Sequence, residues 1–133
     1  MMIARRVLGA VLVAAAIGLV GLVQAWADTT VPYSDGAFKA AQAAGRPILV
    51  EIHAGWCPTC KAQKPIIDKL VEAPKFKNLQ IFRVDYDDMK PVVKAFGAQM
   101  QSTLIVFKGA SETGRSVGDT KEASIAALLD KSL

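Results

Sequence analysis

The sequence predicts an α/β domain built on a central mixed sheet of four strands, with helices on both faces of the sheet. Segments of helical composition alternate with short β-rich segments after residue 33, a pattern typical of parallel strands joined by helical crossovers. The last two β-rich segments are separated only by a short turn, which indicates an antiparallel hairpin. Of the 133 residues, 52% are hydrophobic and 21% are charged, so the chain can form one core and is not largely disordered.

Eight elements are predicted in the order α, β, α, β, α, β, β, α. In chain order they are a helix over Asp35–Ala44, a strand over Ile48–His53, a helix from Cys57 to about Val71, a strand over Leu79–Asp85, a helix ending at Phe96, a strand over Thr103–Phe107, a weaker strand around Arg115–Val117 and a helix ending at Lys131. Ser34 is expected to cap the first helix and Gly45 to end it. Pro65 should kink or interrupt the second helix.

The starts of the last two helices are marked by acidic residues. Asp87 or Asp88 is expected to cap the third helix, which Gly97 would close. Asp119, followed three residues later by Glu122, resembles a capping box and predicts the start of the final helix.

Residues 1–27 have the pattern of an export signal. Arg5 and Arg6 precede an apolar run from Val7 to Val23, and small residues follow at the positions that a signal peptidase inspects. The apolar run is long for a signal peptide and reaches the lower limit for a membrane-spanning helix. Cleavage after Ala27 is therefore expected, with an uncleaved N-terminal membrane anchor as the alternative.

In either case the domain over residues 28–133 is expected to work in the periplasm or after secretion. The chain has 16 basic and 12 acidic residues, and two of the basic ones lie in the leader, so the charge of the domain is nearly balanced. No cluster of Lys and Arg with interleaved aromatic residues is present, which argues against binding of nucleic acid.

Cys57 and Cys60 are the only cysteines, and they stand where a strand gives way to a helix. Thiols at this spacing on a first helical turn can close a small disulfide, and the helix N-terminus favours a thiolate at Cys57. Pro58 fits there because the first turn has no intrahelical partner for its missing N–H. Redox exchange is the favoured interpretation, with metal binding and an inert disulfide as alternatives. A bridge over so few residues restrains little of the unfolded chain.

Several segments together resemble the thioredoxin family, and most closely its extracytoplasmic thioredoxin-like members. The segments are Ile48–Lys61 with its Trp-Cys-x-x-Cys-Lys motif, Pro65, Lys94–Gly97, Thr103–Gly109 and Val117–Gly118, in the family's order. The resemblance covers Ser34 to Leu133. It implies a thioredoxin fold and thiol–disulfide exchange, in which Cys57 attacks a protein disulfide and Cys60 resolves the mixed disulfide.

The resemblance also implies roles for residues around the cysteines. Glu51 stands where the family has a buried carboxylate that relays a proton to or from Cys60, the alternative being a solvent-facing carboxylate on a sheet edge. A substrate groove would be formed by the residues Trp56, Pro58, Gln101, Ser102 and Thr103. No small cofactor is needed, because the cysteine pair carries the two electrons.

One departure from the family concerns the loop that faces the cysteines. Ser102 stands where the family has a cis-proline, so the Gln101–Ser102 peptide is expected to be trans or locally rebuilt. A site opened in this way could admit a metal ion to Cys57 and Cys60. His53 is then the third-ligand candidate, the alternative being a strand-end histidine satisfied by its neighbours.

Two further departures lie near the cysteines. The dipeptide between them is Pro58-Thr59 in place of the Gly-Pro of thioredoxins proper, and it adds no positive charge that would indicate a strong oxidant. The family's strand lysine near the buried acid is replaced by Ile81, and Arg83 could substitute for it.

The sequence therefore predicts an exported thiol–disulfide oxidoreductase that reduces or isomerises protein disulfides. A membrane thiol donor is expected as its electron source, because the compartment is oxidising. The alternatives are a dithiol oxidase and a binding module or metal chaperone on the same scaffold.

Overall fold

A mixed β-sheet of five strands runs through the centre of the protein, whose computed structural model describes residues 30–133. The strands are β1 at Thr30–Pro32, β2 at Pro47–His53, β3 at Gln80–Asp85, β4 at Thr103–Lys108 and β5 at Ser111–Val117. Their spatial order is β1-β3-β2-β4-β5. Strands β1, β3 and β2 are mutually parallel, and β4 is antiparallel to both of its neighbours, β2 and β5. The mixed α/β class and the terminal hairpin are confirmed.

The predicted number of four strands is wrong by one, because β1 was not anticipated. This strand pairs with β3 through only three residues, from Thr30 opposite Ile81 to Pro32 opposite Arg83. A segment so short cannot display the period-two alternation by which strands are recognised. Strand β1 pairs with β3 through backbone hydrogen bonds, which the side-chain pattern does not predict.

Four helices cover the two faces of the sheet. They are α1 at Asp35–Ala43, α2 at Pro58–Leu70, α3 at Lys90–Ala95 and α4 at Glu122–Asp130, with a short 3-10 helix at Pro74–Phe76. Successive strand residues point to opposite faces. Ile48, Val50 and Ile52 of β2 therefore pack in the cluster that holds α1 and α3. The residue between the first two, Leu49, packs in the cluster that holds α2 and α4.

The first helix begins and ends as predicted. The Ser34 hydroxyl oxygen accepts a hydrogen bond from the amide of Ala37 at 3.3 Å, and Gly45 adopts a left-handed φ of 68° after the helix. The second helix runs from Pro58 to Leu70 without interruption at Pro65. Pro65 was expected to kink or interrupt this helix, and the interruption does not occur.

The predicted caps of the last two helices are wrong. Helix α3 begins after Met89 with no side-chain cap. Asp87 and Asp88 lie in the turn before it, where Asp85 at the end of β3 accepts the amide hydrogens of both. Helix α4 begins after Lys121, also without a side-chain cap.

Neither member of the expected capping box acts as one. The Asp119 carboxylate accepts hydrogen bonds from the Lys121 amide and the Ser124 hydroxyl, so it orders the turn before α4. Glu122 forms an ion pair with Lys69 of α2 at 2.9 Å.

The sheet brings two loops together at one end. Strand β2 ends at His53 and leads into α2, while β4 begins at Thr103, opposite Ile52 of β2. The segment before β4 therefore lies beside the segment between β2 and α2. Within residues 30–133, no helix is both long and apolar enough to cross a bilayer, and the predicted leader over residues 1–27 lies outside the described residues.

Candidate active site

The cysteine pair occupies the N-terminus of α2. Cys57 is the N-cap residue and Cys60 lies in the first turn, their Cα atoms are 5.3 Å apart, and the two are joined as a disulfide. The Sγ atom of Cys57 accepts the amide hydrogen of Cys60 at 3.0 Å. Pro58 is the first helical residue, as predicted. Because unpaired amides and the helix dipole favour negative charge at this end, the geometry favours a thiolate at Cys57 in the reduced protein.

The cysteines are buried, but apolar side chains around them are exposed. Cys57 and Cys60 pack with Ala54 and the ring of Tyr86. Trp56 is 57% exposed, and its indole Nε1 donates a hydrogen bond to Asp87 Oδ2 at 2.7 Å. This bond fixes an apolar ring beside the disulfide, a surface suited to a polypeptide.

Neither Tyr86 nor Asp87 was anticipated from the sequence as a neighbour of the cysteines. Both follow the carboxyl end of β3, which runs parallel to β2. Carboxyl ends of neighbouring parallel strands meet at one edge of a sheet. The signal that could have found them is therefore their position one strand away from the cysteine motif.

Glu51 is buried in the middle of β2 and faces α2. It lies directly opposite Arg83 of β3, whose Nη2 and Nε donate hydrogen bonds to Glu51 Oε2 at 2.9 and 3.2 Å. Burial raises the pKa of Glu51, and the Arg83 charge partly opposes that rise. The expected burial of Glu51 is confirmed, and the alternative of a solvent-facing carboxylate is wrong. Arg83 lies on the expected face and contacts Glu51, whereas its substitution for the family's lysine stays a prediction.

Glu51 and the second cysteine both line a cavity of about 10 Å³. Its lining includes Glu51, Cys60, Gln63 and Arg83. That volume is on the order of the space needed for one water molecule. Glu51 and Cys60 therefore face the same water-sized space.

The loop before β4 has an unusual backbone at Ser102. No peptide bond within residues 30–133 is cis, so the expected trans peptide at Gln101–Ser102 is confirmed. Ser102 has a φ of 61°, the left-handed region that is costly for a residue with a Cβ atom. Its amide donates to the Ile52 carbonyl at 2.7 Å, and the Thr103 hydroxyl donates to the Met100 carbonyl at 2.7 Å.

Gln63 of α2, which sequence reasoning missed, contacts this loop. It is buried, and its Nε2 donates to the Ser102 carbonyl at 3.2 Å and to the Asp119 carbonyl at 2.9 Å. The sequence offered one signal, a polar residue three positions after Cys60 and therefore on the same face of the helix.

His53 lies at the end of β2 and is half-buried. Burial lowers the pKa of His53, and the nearby Arg83 charge lowers it further. Among the residues that the structure describes, no three His, Cys, Asp or Glu side chains are grouped so as to hold a metal ion. Cys57 and Cys60 therefore offer two soft ligands without a third beside them.

Comparisons with known proteins agree on one family. The family model described as Thioredoxin matches residues 29–131. The chain is 35% identical over 94 residues to an H-type thioredoxin of Brassica campestris, which covers 71% of this chain and 75% of the relative. It is 30% identical over 82 residues to the thioredoxin Asp f 29 of Aspergillus fumigatus, covering 62% of this chain and 74% of the relative.

Solved structures give the same result. The crystal structure of Trxlp from Edwardsiella tarda superimposes with a TM-score of 0.73 and 39% identity, over 75% of this chain and 97% of that chain. The thioredoxin fold implied by the sequence resemblance is thereby confirmed. With a cysteine pair at the N-terminus of α2 and this likeness over nearly all described residues, the chain belongs to the thioredoxin family and is a thiol–disulfide oxidoreductase.

Proposed function

We propose that this protein is an extracytoplasmic thioredoxin-like enzyme that reduces or isomerises disulfides of protein substrates. The observation that carries the proposal is the placement of Cys57 as the N-cap of α2, with buried Glu51 lining a cavity beside Cys60. One thiol is set up for attack and the other has a proton acceptor nearby. This asymmetry is what a two-step exchange requires.

The reaction begins with attack by the Cys57 thiolate on a substrate disulfide. A mixed disulfide forms between Cys57 and one substrate sulfur, and the other substrate sulfur leaves as a thiolate. Glu51 then accepts the proton of Cys60 through the cavity, and the Cys60 thiolate attacks Cys57 Sγ. The second substrate sulfur leaves, so that two electrons have passed to the substrate and the Cys57–Cys60 disulfide remains.

The surface around the disulfide fits an extended polypeptide. Trp56, Met100 and Val117 are exposed apolar side chains that the sequence order and sheet register bring to the same end of the sheet as the cysteines. The loop of Gln101, Ser102 and Thr103 would supply backbone contacts, as the family resemblance implies. Large exposed apolar side chains near a reactive group favour a protein substrate over a small disulfide.

The reducing direction is supported by the absence of a strong oxidant's features between the cysteines. Pro58 and Thr59 carry no charge, so the thiolate is stabilised by the helix end without an adjacent cation between the cysteines. Export is supported by Arg5, Arg6 and the apolar run that follows them. In an oxidising compartment the spent disulfide must be reduced again, so a membrane thiol donor is part of the proposal.

The test is the reduction potential of the full-length chain, equilibrated in thiol–disulfide buffers and read by alkylation of free thiols. A potential near about −270 mV is expected for a reductant, whereas one near about −120 mV would make the protein a disulfide donor. Absence of a reversible transition would contradict redox function and favour a binding module. Recovery of the expressed chain in the cytoplasmic fraction would contradict export.

A further inference from the structure

The loop that faces the cysteines is held in a costly conformation without a proline. Ser102 adopts a φ of 61°, which for a residue other than glycine costs on the order of 1–2 kcal/mol. Such a conformation persists only where surrounding contacts determine it. The contacts that hold Ser102 therefore determine the conformation of the loop that faces the cysteines.

Backbone groups provide two of those contacts. The Ser102 amide donates to the Ile52 carbonyl at 2.7 Å, and its carbonyl accepts the Gly118 amide at 3.0 Å. These bonds tie the loop to β2 on one side and to the turn after β5 on the other. Neither of them connects the loop to α2, the helix that carries Cys57 and Cys60.

Gln63 supplies that connection. Its carboxamide nitrogen donates to both the Ser102 carbonyl at 3.2 Å and the Asp119 carbonyl at 2.9 Å, so it joins α2 to two loops. The side chain is 3% exposed, and the next residue one turn along the same face, Ile67, is apolar. If filling space were the only requirement at this position, an apolar residue would fill it without the cost of burying an amide.

We propose that Gln63 is a positioning residue, whose carboxamide holds the Gln101–Thr103 loop at a fixed distance from the cysteine-bearing helix. Gln63 thereby compensates for the absence of the family's cis-proline at position 102. The hydrogen bonds that Gln63 donates go to backbone carbonyls and not to the cysteines. No loop or turn hydrogen bond within residues 30–133 involves the amide or carbonyl of Gln101. Once Ser102 is held by Ile52, Gly118 and Gln63, the backbone of Gln101 is left to pair with an extended substrate.

This inference rests on the proposed function, and the test separates the two. Gln63→Met keeps nearly the same shape and removes both donated bonds. Two substrates are compared: insulin, which must dock as a polypeptide, and 5,5′-dithiobis(2-nitrobenzoate), which is small and needs little docking. The expected result is a roughly tenfold rise in KM for insulin, with the rate for the small disulfide changed by less than about twofold.

Ser132→Ala is the matched control. Ser132 is a buried polar residue whose hydroxyl donates to the Leu129 carbonyl at 2.7 Å at the end of α4, far along the chain from the cysteines. The Ser132→Ala variant, like Gln63→Met, loses a buried side-chain hydrogen bond. Its KM should nevertheless stay unchanged for both substrates. If Gln63→Met changes KM no more than Ser132→Ala, or slows both substrates equally, Gln63 has only a structural role.

A measurement on the unaltered protein covers the case in which Gln63→Met does not fold. The side-chain amide protons of Gln63 should exchange slowly with solvent in the NMR spectrum, because the buried carboxamide nitrogen donates to two backbone carbonyls. Fast exchange of both protons would overturn the inference. An unaltered protein that fails to reduce insulin would instead contradict the proposed function, whatever the behaviour of Gln63.

Discussion

The two faces of the sheet are built from the same strands but differ in what they bury. The face under α1 and α3, here the aromatic face, contains five aromatic rings in mutual contact: Tyr33, Phe38, Phe82, Phe96 and Phe107. The face under α2 and α4, here the polar face, buries Glu51 and Gln63 among its apolar side chains. Adjacent residues of β2 therefore serve different purposes.

The difference indicates a division between stability and chemistry. The aromatic face gains its free energy from apolar burial and edge-to-face ring contacts. The polar face gives up some of that free energy to keep an ionisable group and an amide next to the cysteines. Substitutions on the first face should therefore change the free energy of unfolding, and those on the second should change the reaction.

The largest effect on stability is expected for Phe38→Ala. The Phe38 ring lies 5.3 to 5.7 Å, between ring centroids, from four other aromatic rings, so the truncation leaves a cavity in the aromatic face. The free energy of unfolding should fall by about 3–5 kcal/mol, as measured by urea denaturation. The reduction potential should not change. A shifted potential in a variant that still folds would break the separation between the two faces.

A smaller loss of stability is expected for Ser102→Pro, although a proline would restore the family's pattern. Proline fixes φ near −65° and has no amide hydrogen, whereas Ser102 has a φ of 61° and donates to Ile52. The free energy of unfolding should fall by about 3 kcal/mol. Ser102→Gly is the control and should raise it by about 1 kcal/mol, since glycine adopts this φ without strain. Equal stability of the two variants would show that the loop adapts freely.

Glu51→Gln should slow the reaction more than it changes stability. Decay of the mixed disulfide at neutral pH, followed in single-turnover mixing, should be about 10²-fold slower without the proton acceptor.

Because burial raises the pKa of Glu51 in the folded state, its protonated form stabilises the protein at low pH, and that stability is lost as the pH rises through the folded pKa.

The glutamine variant, which resembles the protonated form, should therefore gain stability relative to the unaltered protein as the pH rises, and the two should converge at low pH. Denaturation curves at a series of pH values test this sign. If Glu51→Gln instead loses stability relative to the unaltered protein as the pH rises, the attraction between Glu51 and Arg83 outweighs the cost of burying the Glu51 charge.

Much of the fold follows from local patterns in the sequence. The β2 run, the cysteines at the start of α2, and the cap formed by Ser34 are set by neighbours a few residues apart, so they are predictable. The burial of Glu51 followed from its place within an apolar strand. By contrast, β1 is too short to show a pattern, and it pairs with a strand about fifty residues later.

The missed parts of the site depend on contacts between distant segments. Asp87 could be paired with Trp56 only by knowing that β2 and β3 are parallel neighbours. Gln63 acquires its role from loops that lie 39 and 56 residues away along the chain. The sequence shows that position 102 lacks the family's proline. It does not show which contacts hold the loop when that proline is absent.

Both outer strands of the described sheet are poor templates for another chain. On one side β1 has three residues and ends in Pro32, which has no amide to donate. On the other side β5 carries the charged pair Glu112 and Arg115, and a bulge between Val106 and Phe107 distorts its pairing with β4. In the proposed function the protein would bind extended polypeptides, and an exposed strand edge would favour unwanted strand addition and co-aggregation with such a substrate. With both edges protected in this way, the proposed reversible pairing with a substrate would be confined to the short loop beside the cysteines.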